Sequence, residues 1–217
     1  MRFAFLAVSF VSVCLVAPLF GAESLDPAQA KEENGALWYD VRLLTVEGQG
    51  WSAADLKAPY DRLPAKAEGK VRDAVWGLSR DSAGLCIRFR TDSPTIQCRW
   101  TLTKSNLAMP HMAATGVSGV DLYVNVDGWR WLATGRPTSQ LNSAALVSNL
   151  PAGKRAYVLY LPLYNGVSSV EIGIANGSDL EALPRDEKRA KPIVFWGTSI
   201  TQGGCASRTG MVHTAIL

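Results

Sequence analysis

The stretch VDLYVNVDGWRWLATG, Val120 to Gly135, constrains the fold more than any other part of this sequence. Val120, Leu122, Val124 and Val126 fall on alternate positions, the period-two signature of a strand with one buried face. Asp127-Gly128 then supplies the pair that a two-residue hairpin turn favours, because both positions need positive φ. A second strand-like run follows at once. The same texture recurs in YDVRLLTVEG, AVWGLSR, GLCIRFRT, TIQCRWTL, RAYVLYLPLY and SSVEIGIAN, with Asn165-Gly166 read as a further turn. Short strands at this spacing, with no amphipathic helix between them, predict a mostly-β fold: a β-sandwich of jelly-roll type. The stretch SAADLKAPYDRLPAKAEGK breaks the rhythm and is expected to wrap the outside.

A chain of 217 residues can bury a sizeable core, and 47% hydrophobic against 19% charged residues excludes a disordered polymer. The net charge of +3 is spread along the chain, with no basic stripe of the kind that binds nucleic acid. Residues 1–22 join one positive charge to a long apolar run ending in Gly21-Ala22, the layout of a secretory signal peptide. A retained membrane anchor is the alternative, since the run approaches the roughly 20 apolar residues that a span needs. Bulky Val13 argues against a lipid anchor on Cys14. The expected location is therefore periplasmic or extracellular, without stable membrane association after cleavage.

Three cysteines remain beyond that segment: Cys86, Cys98 and Cys205. Their spacing matches no metal site. If GLCIRFRT and TIQCRWTL pair as a hairpin with apolar faces together, Cys86 and Cys98 point to opposite sides and cannot bond. Free thiols are expected.

The texture divides the chain into a loose lead-in (23–37), a sandwich (38–176), a polar, proline-flanked linker (177–191) and a different beginning at 192. There PIVFWG is continuously apolar, as in a strand buried on both faces of a parallel sheet. ASRTGMVHTAIL is expected to open a helix. Between them stands GTSITQGG. A serine becomes a nucleophile only when a base takes its proton. A sharp turn after a strand exposes the hydroxyl and aims backbone N–H groups at a developing oxyanion. Gly197, Gly203 and Gly204 leave room around it.

GTSITQGG resembles the first motif block of the SGNH (GDSL-like) hydrolases. ATGVSGVDLYV, with Gly119-x-Asp121-Leu122-Tyr123, and YLPLYNGV resemble the β-sandwich that precedes the catalytic domain in a subgroup of exported SGNH esterases. The resemblance implies an α/β, flavodoxin-like catalytic domain of which 192–217 is the first strand and helix. It makes Ser199 the nucleophile and its N–H an oxyanion donor. It implies ester hydrolysis without metal or organic cofactor, on a small-molecule or carbohydrate ester, with acetyl esters foremost. The family's remaining oxyanion donors and its Asp-x-x-His base belong to later blocks, so the chain as given is expected to be inactive.

Other residues have weaker claims. His213 lies on the helix leading away from Ser199, which argues against its acting as a substitute base. His111, before the Gly-x-Asp-Leu-Tyr signature, is read as a turn histidine or as a contributor to the cleft, together with Gly203. Asp121, polar on an apolar strand, is expected to bond the amides of residues 116–119. Trp129, Trp131, Tyr160 and Tyr164 are core residues or a sugar-stacking platform. The alternative function is a non-catalytic sandwich that binds a carbohydrate or a partner.

Overall fold

A computed structural model describes residues 23–185 and 191–217; the signal-peptide reading lies outside the described residues. The chain forms two antiparallel sheets laid face to face. The first runs, edge to edge, through β1 (Lys31–Glu33), β2 (Ala36–Asp40), β10 (Val167–Ala175), β5 (Ile96–Leu102) and β8 (Leu141–Val147). The second runs through β11 (Leu180–Ala182), β4 (Cys86–Thr91), β9 (Arg155–Tyr160), β6 (Val120–Asn125) and β7 (Trp129–Gly135). A short β3 (Thr45–Glu47) pairs with the half of β4 that β11 leaves free. The mostly-β sandwich expected from the alternation is what forms.

Alternation places the core. Ile87 and Phe89 of β4 and Val120 and Leu122 of β6 point inward, with Tyr157 and Leu159 of β9. They meet Ile96, Cys98 and Trp100 of β5 and Ile172 and Ile174 of β10 from the other sheet. Phe89 and Tyr157 are cross-strand partners whose rings stack 5.3 Å apart. Trp100 is buried, and its indole N–H donates to the Ser118 carbonyl at 3.0 Å. The β6–β7 hairpin turns at Asp127 (φ 51°) and Gly128 (φ 108°), the geometry its dipeptide favours.

Four expectations are corrected. AVWGLSR is not a strand: Asp73–Ser79 is a short helix, α1. Its C-terminal carbonyls are met from outside, because the Arg62 guanidinium donates to Leu78 and Asp81, and the Arg62 amide donates to Ser79. GLCIRFRT and TIQCRWTL do not pair: β4 and β5 lie in opposite sheets, and the connection between them passes from one sheet to the other. Cys86 and Cys98 are nonetheless free, as is Cys205. The lead-in and linker also carry structure. β1 and the start of β2 lie within 23–37, and β11 lies within 177–191, because sheet edges recruit both segments. Lastly, 192–197 forms no strand. No neighbouring strand stands beside it among the described residues, and a strand is defined by its ladder. Ile193, Val194 and Trp196 are about four-fifths exposed as a result.

Candidate active site

Ser199 is the first residue of α3 (Ser199–Gln202), a single helical turn. Thr198 before it is extended, so the chain bends sharply at the serine. Gly203 ends the turn in the left-handed region at φ 105°. A side chain there would place its Cβ 2.7 Å from Leu163 Cδ1, so both the backbone angle and the space require glycine. The Ser199 carbonyl accepts from the amides of Gly203 (3.1 Å) and Gly204 (2.7 Å). Ser199 is exposed, and no hydrogen bond among the described residues reaches its hydroxyl. Gly203 is buried with its N–H used inside the turn, so it shapes the site and does not line a cleft as a donor.

The sandwich holds this turn at two places. The first grip comes from the loop after β9. Tyr164 Oη donates to the Ser199 carbonyl at 2.9 Å. Gln202 Nε2 donates to the Leu163 carbonyl at 3.0 Å and to Asp81 Oδ2 at 3.2 Å. Asp81 is fully buried and also pairs with Lys104. Burial pushes the Asp81 carboxyl above its ordinary range, against the pull of Lys104 and Arg62. The Tyr164 phenol is likewise pushed up, first by burial and then by the neighbouring Cys205 and Asp81, which keeps it a proton donor. Asn165 braces the same loop: its side chain bonds both backbone groups of Lys104 and the Ser118 hydroxyl. Asn165-Gly166 is a bend between strands of opposite sheets, not a hairpin turn, and Asn165 is thus a staple between loops.

The second grip is made by the Gly-x-Asp-Leu-Tyr strand itself. Asp121 is fully buried on the outer face of β6. It does not bond the amides of 116–119 as expected. Those of Gly116, Val117 and Ser118 are used in the short turn α2 (Ala114–Val117). Asp121 Oδ2 instead accepts from the Gly210 amide at 2.9 Å and from Arg208 Nη1 at 3.1 Å, while Thr134 donates to Oδ1. Tyr123 Oη donates to the Gly210 carbonyl at 3.1 Å and accepts from Arg208 at 2.9 Å. Aspartate and tyrosine therefore hold one residue, Gly210, by the N–H of one of its peptides and the C=O of the next. A Cβ at Gly210 would lie 2.4 Å from the Tyr123 ring, so only glycine fits between them. The Arg208 guanidinium also rests on the Trp131 ring, 4.7 Å from its centre. Val212 completes the contact by packing into a small apolar cluster with Met112, Val117 and Leu163.

The histidines stand apart from the serine hydroxyl. His111 is exposed at the tip of a turn closed by reciprocal Met109–Met112 backbone bonds. Its loop reaches the C-terminal segment through Met112, which shares the Val212 cluster. The expected helix over 206–217 is only a 3-10 turn (Thr209–Met211) and α4 (His213–Ile216). His213 is exposed and edges onto Phe195, with centroids 6.0 Å apart. The aromatic quartet is divided. Tyr160 packs edge-on against Tyr123 and donates to the Ala215 carbonyl, and Tyr164 serves the Ser199 turn. Trp129 and Trp131 alone stay about half exposed. Sequence reasoning gave Tyr164 a different role and missed Asp81 and Arg208 as site residues. The one available signal was Asp121, a carboxylate where an apolar strand has no reason to carry one.

Both parts of the chain match known protein families. The family described as the N-terminus of SGNH-hydrolase-type esterases, named for its Gly-x-Asp-Leu-Tyr signature, matches residues 36–180. The GDSL-like lipase/acylhydrolase family matches residues 190–217. No match is found among curated proteins. A crystal structure from Bacteroides ovatus, assigned as a GDSL-like lipase, is 29% identical with a TM-score of 0.74, over 84% of this chain and 52% of that one. A salicylyl-acyltransferase from a tetracycline biosynthetic pathway is 21% identical with a TM-score of 0.49, over 71% of this chain and 44% of that one. The chain thus spans about half the length of these solved structures. With that signature strand and the serine turn clasped against it, the chain belongs to the SGNH-hydrolase-type esterases and carries their N-terminal domain.

Proposed function

We propose that this chain is the nucleophile-bearing front part of an exported esterase that hydrolyses acyl esters, acetyl esters foremost, on small molecules or carbohydrates. The observation that supports this most is the Ser199 turn. An exposed serine heads a one-turn helix whose backbone is locked by Gly203 and by Tyr164. In this reading Ser199 Oγ attacks the ester carbonyl as a general base removes its proton. The Ser199 N–H, at the head of the turn and free of an intrahelical partner, receives the oxyanion. The alcohol leaves with a proton, and water then releases the acid and regenerates the serine. No described group bonds the serine hydroxyl, so the 217-residue chain is expected to be inert by itself.

The test is p-nitrophenyl acetate hydrolysis by the protein expressed from its whole reading frame. Ser199→Ala is expected to remove about 10³-fold or more of the rate. Retained turnover in that variant overturns the reading. Export rests on residues 1–22, and N-terminal sequencing of secreted protein is expected to begin just after Ala22. A binding module is the second reading, favoured by the exposed Trp129 and Trp131. Saturable quenching of their fluorescence by an unesterified oligosaccharide, with no Ser199-dependent hydrolysis, would support it.

A further inference from the structure

We propose that Tyr164 is a positioning residue: the sandwich, through its phenol, sets the direction of the nucleophile's own peptide. This rests on the assignment of Ser199 above. The Ser199 carbonyl accepts three donors, the amides of Gly203 and Gly204 and the Tyr164 hydroxyl. Two of these come from the turn itself and define its shape. The third comes from outside and defines where the turn points. A carbonyl so held fixes the plane of the Ser199–Ile200 peptide and so helps to set where the Ser199 Cα–Cβ bond, which carries Oγ, projects.

Tyr164 is itself fixed. Its amide donates to the Val117 carbonyl at 3.1 Å, and its carbonyl accepts from Lys104 Nζ at 3.3 Å. Lys104 is paired to buried Asp81, which accepts from Gln202 at the far end of α3. The loop therefore touches the first and last residues of the nucleophile's helical turn. A helix one turn long has little stability of its own, because nucleation costs more than its few bonds return. Its orientation has to be supplied, and Tyr164 supplies it at the reacting residue. Misplacement by about 1 Å is enough to cost orders of magnitude in rate.

The experiment uses the protein expressed from its whole reading frame, with Tyr164→Phe, which keeps the ring and removes only the hydroxyl. Amide hydrogen exchange is expected to speed up about five- to tenfold at Gly203 and Gly204, as for loss of one neutral hydrogen bond. Exchange at core amides such as Leu122 and Ile172 stays unchanged. With p-nitrophenyl acetate, kcat is expected to fall about tenfold while KM stays within twofold; general destabilisation would lower apparent kcat only by lowering the folded fraction, which the unchanged exchange at core amides excludes. Unchanged exchange at both glycines overturns the proposal, as does faster exchange with unchanged kcat. Absence of Ser199-dependent hydrolysis in the parent protein defeats the esterase reading instead. The exchange result then decides alone whether Tyr164 holds the turn.

Discussion

Val120–Val124 and Ile193–Trp196 are both apolar runs, and they end in opposite environments. Val120 and Leu122 are fully buried and Val124 is 8% exposed, whereas Phe195 is 41% and Trp196 82% exposed. The first run lies between β9 and β7 and faces a second sheet. The second has no strand beside it among the described residues. Hydrophobic content alone does not make a strand; partners for its backbone do. A second contrast follows directly. Residues 198–215 have a far less apolar pattern than 193–196, yet they are held in place. Their order comes from hydrogen bonds supplied by the sandwich, including those to two buried carboxylates, Asp81 and Asp121.

The contrast is broken most strongly from the sandwich side. Trp100→Ala removes the largest fully buried side chain and leaves the Ser118 carbonyl without its donor. Urea unfolding is expected to show a loss of about 3–5 kcal/mol. Asp121→Asn strikes the clasp and, within the sandwich, only the bond from Thr134. Its loss is expected near 1.5–3 kcal/mol, the range for hydrogen bonds to a charged group. Amide exchange should rise across 203–216 while β4, β5 and β9 stay protected. A change spread evenly over both regions would mean that the segment is part of one cooperative core. Val194→Ser and Trp196→Ser fall on side chains about four-fifths exposed, and stability is expected to stay within about 0.5 kcal/mol. A larger loss would mean that the run is covered in solution.

The smallest effect is chemical. Burial pushes the Cys86 thiol up to about 12, and Cys98 higher still, while Cys205 is exposed. Thiolate is the reactive form, so iodoacetamide at pH 8 is expected to label Cys205 and spare both others until the sandwich unfolds. Peptide mass spectrometry reads the sites.

The sandwich was legible because its information is local: alternation along one strand and a dipeptide at one turn. Strand partners were less so. β4 and β5 look like a hairpin from their faces, but the sheet to which each belongs is decided by β9 and β10, which arrive later in the chain. AVWGLSR has strand-like residues, and helix α1 wins because Arg62 meets its last carbonyls. Ser199 and its glycines were readable as a turn. Tyr164 and Asp81 were not, because they meet that turn across 35 and 121 residues of sequence. No local pattern carries such a contact.

The clasp on Gly210 also sets an order of events in time. Asp121 and Tyr123 lie on β6, and the last strand of the sandwich ends at Ala182. A chain made from its N-terminus therefore completes the surface of the clasp before it makes the residue that the clasp receives. The sandwich then acts as a template built into the same chain, ready when the serine turn emerges. An error in that template would be inherited by everything synthesised after it.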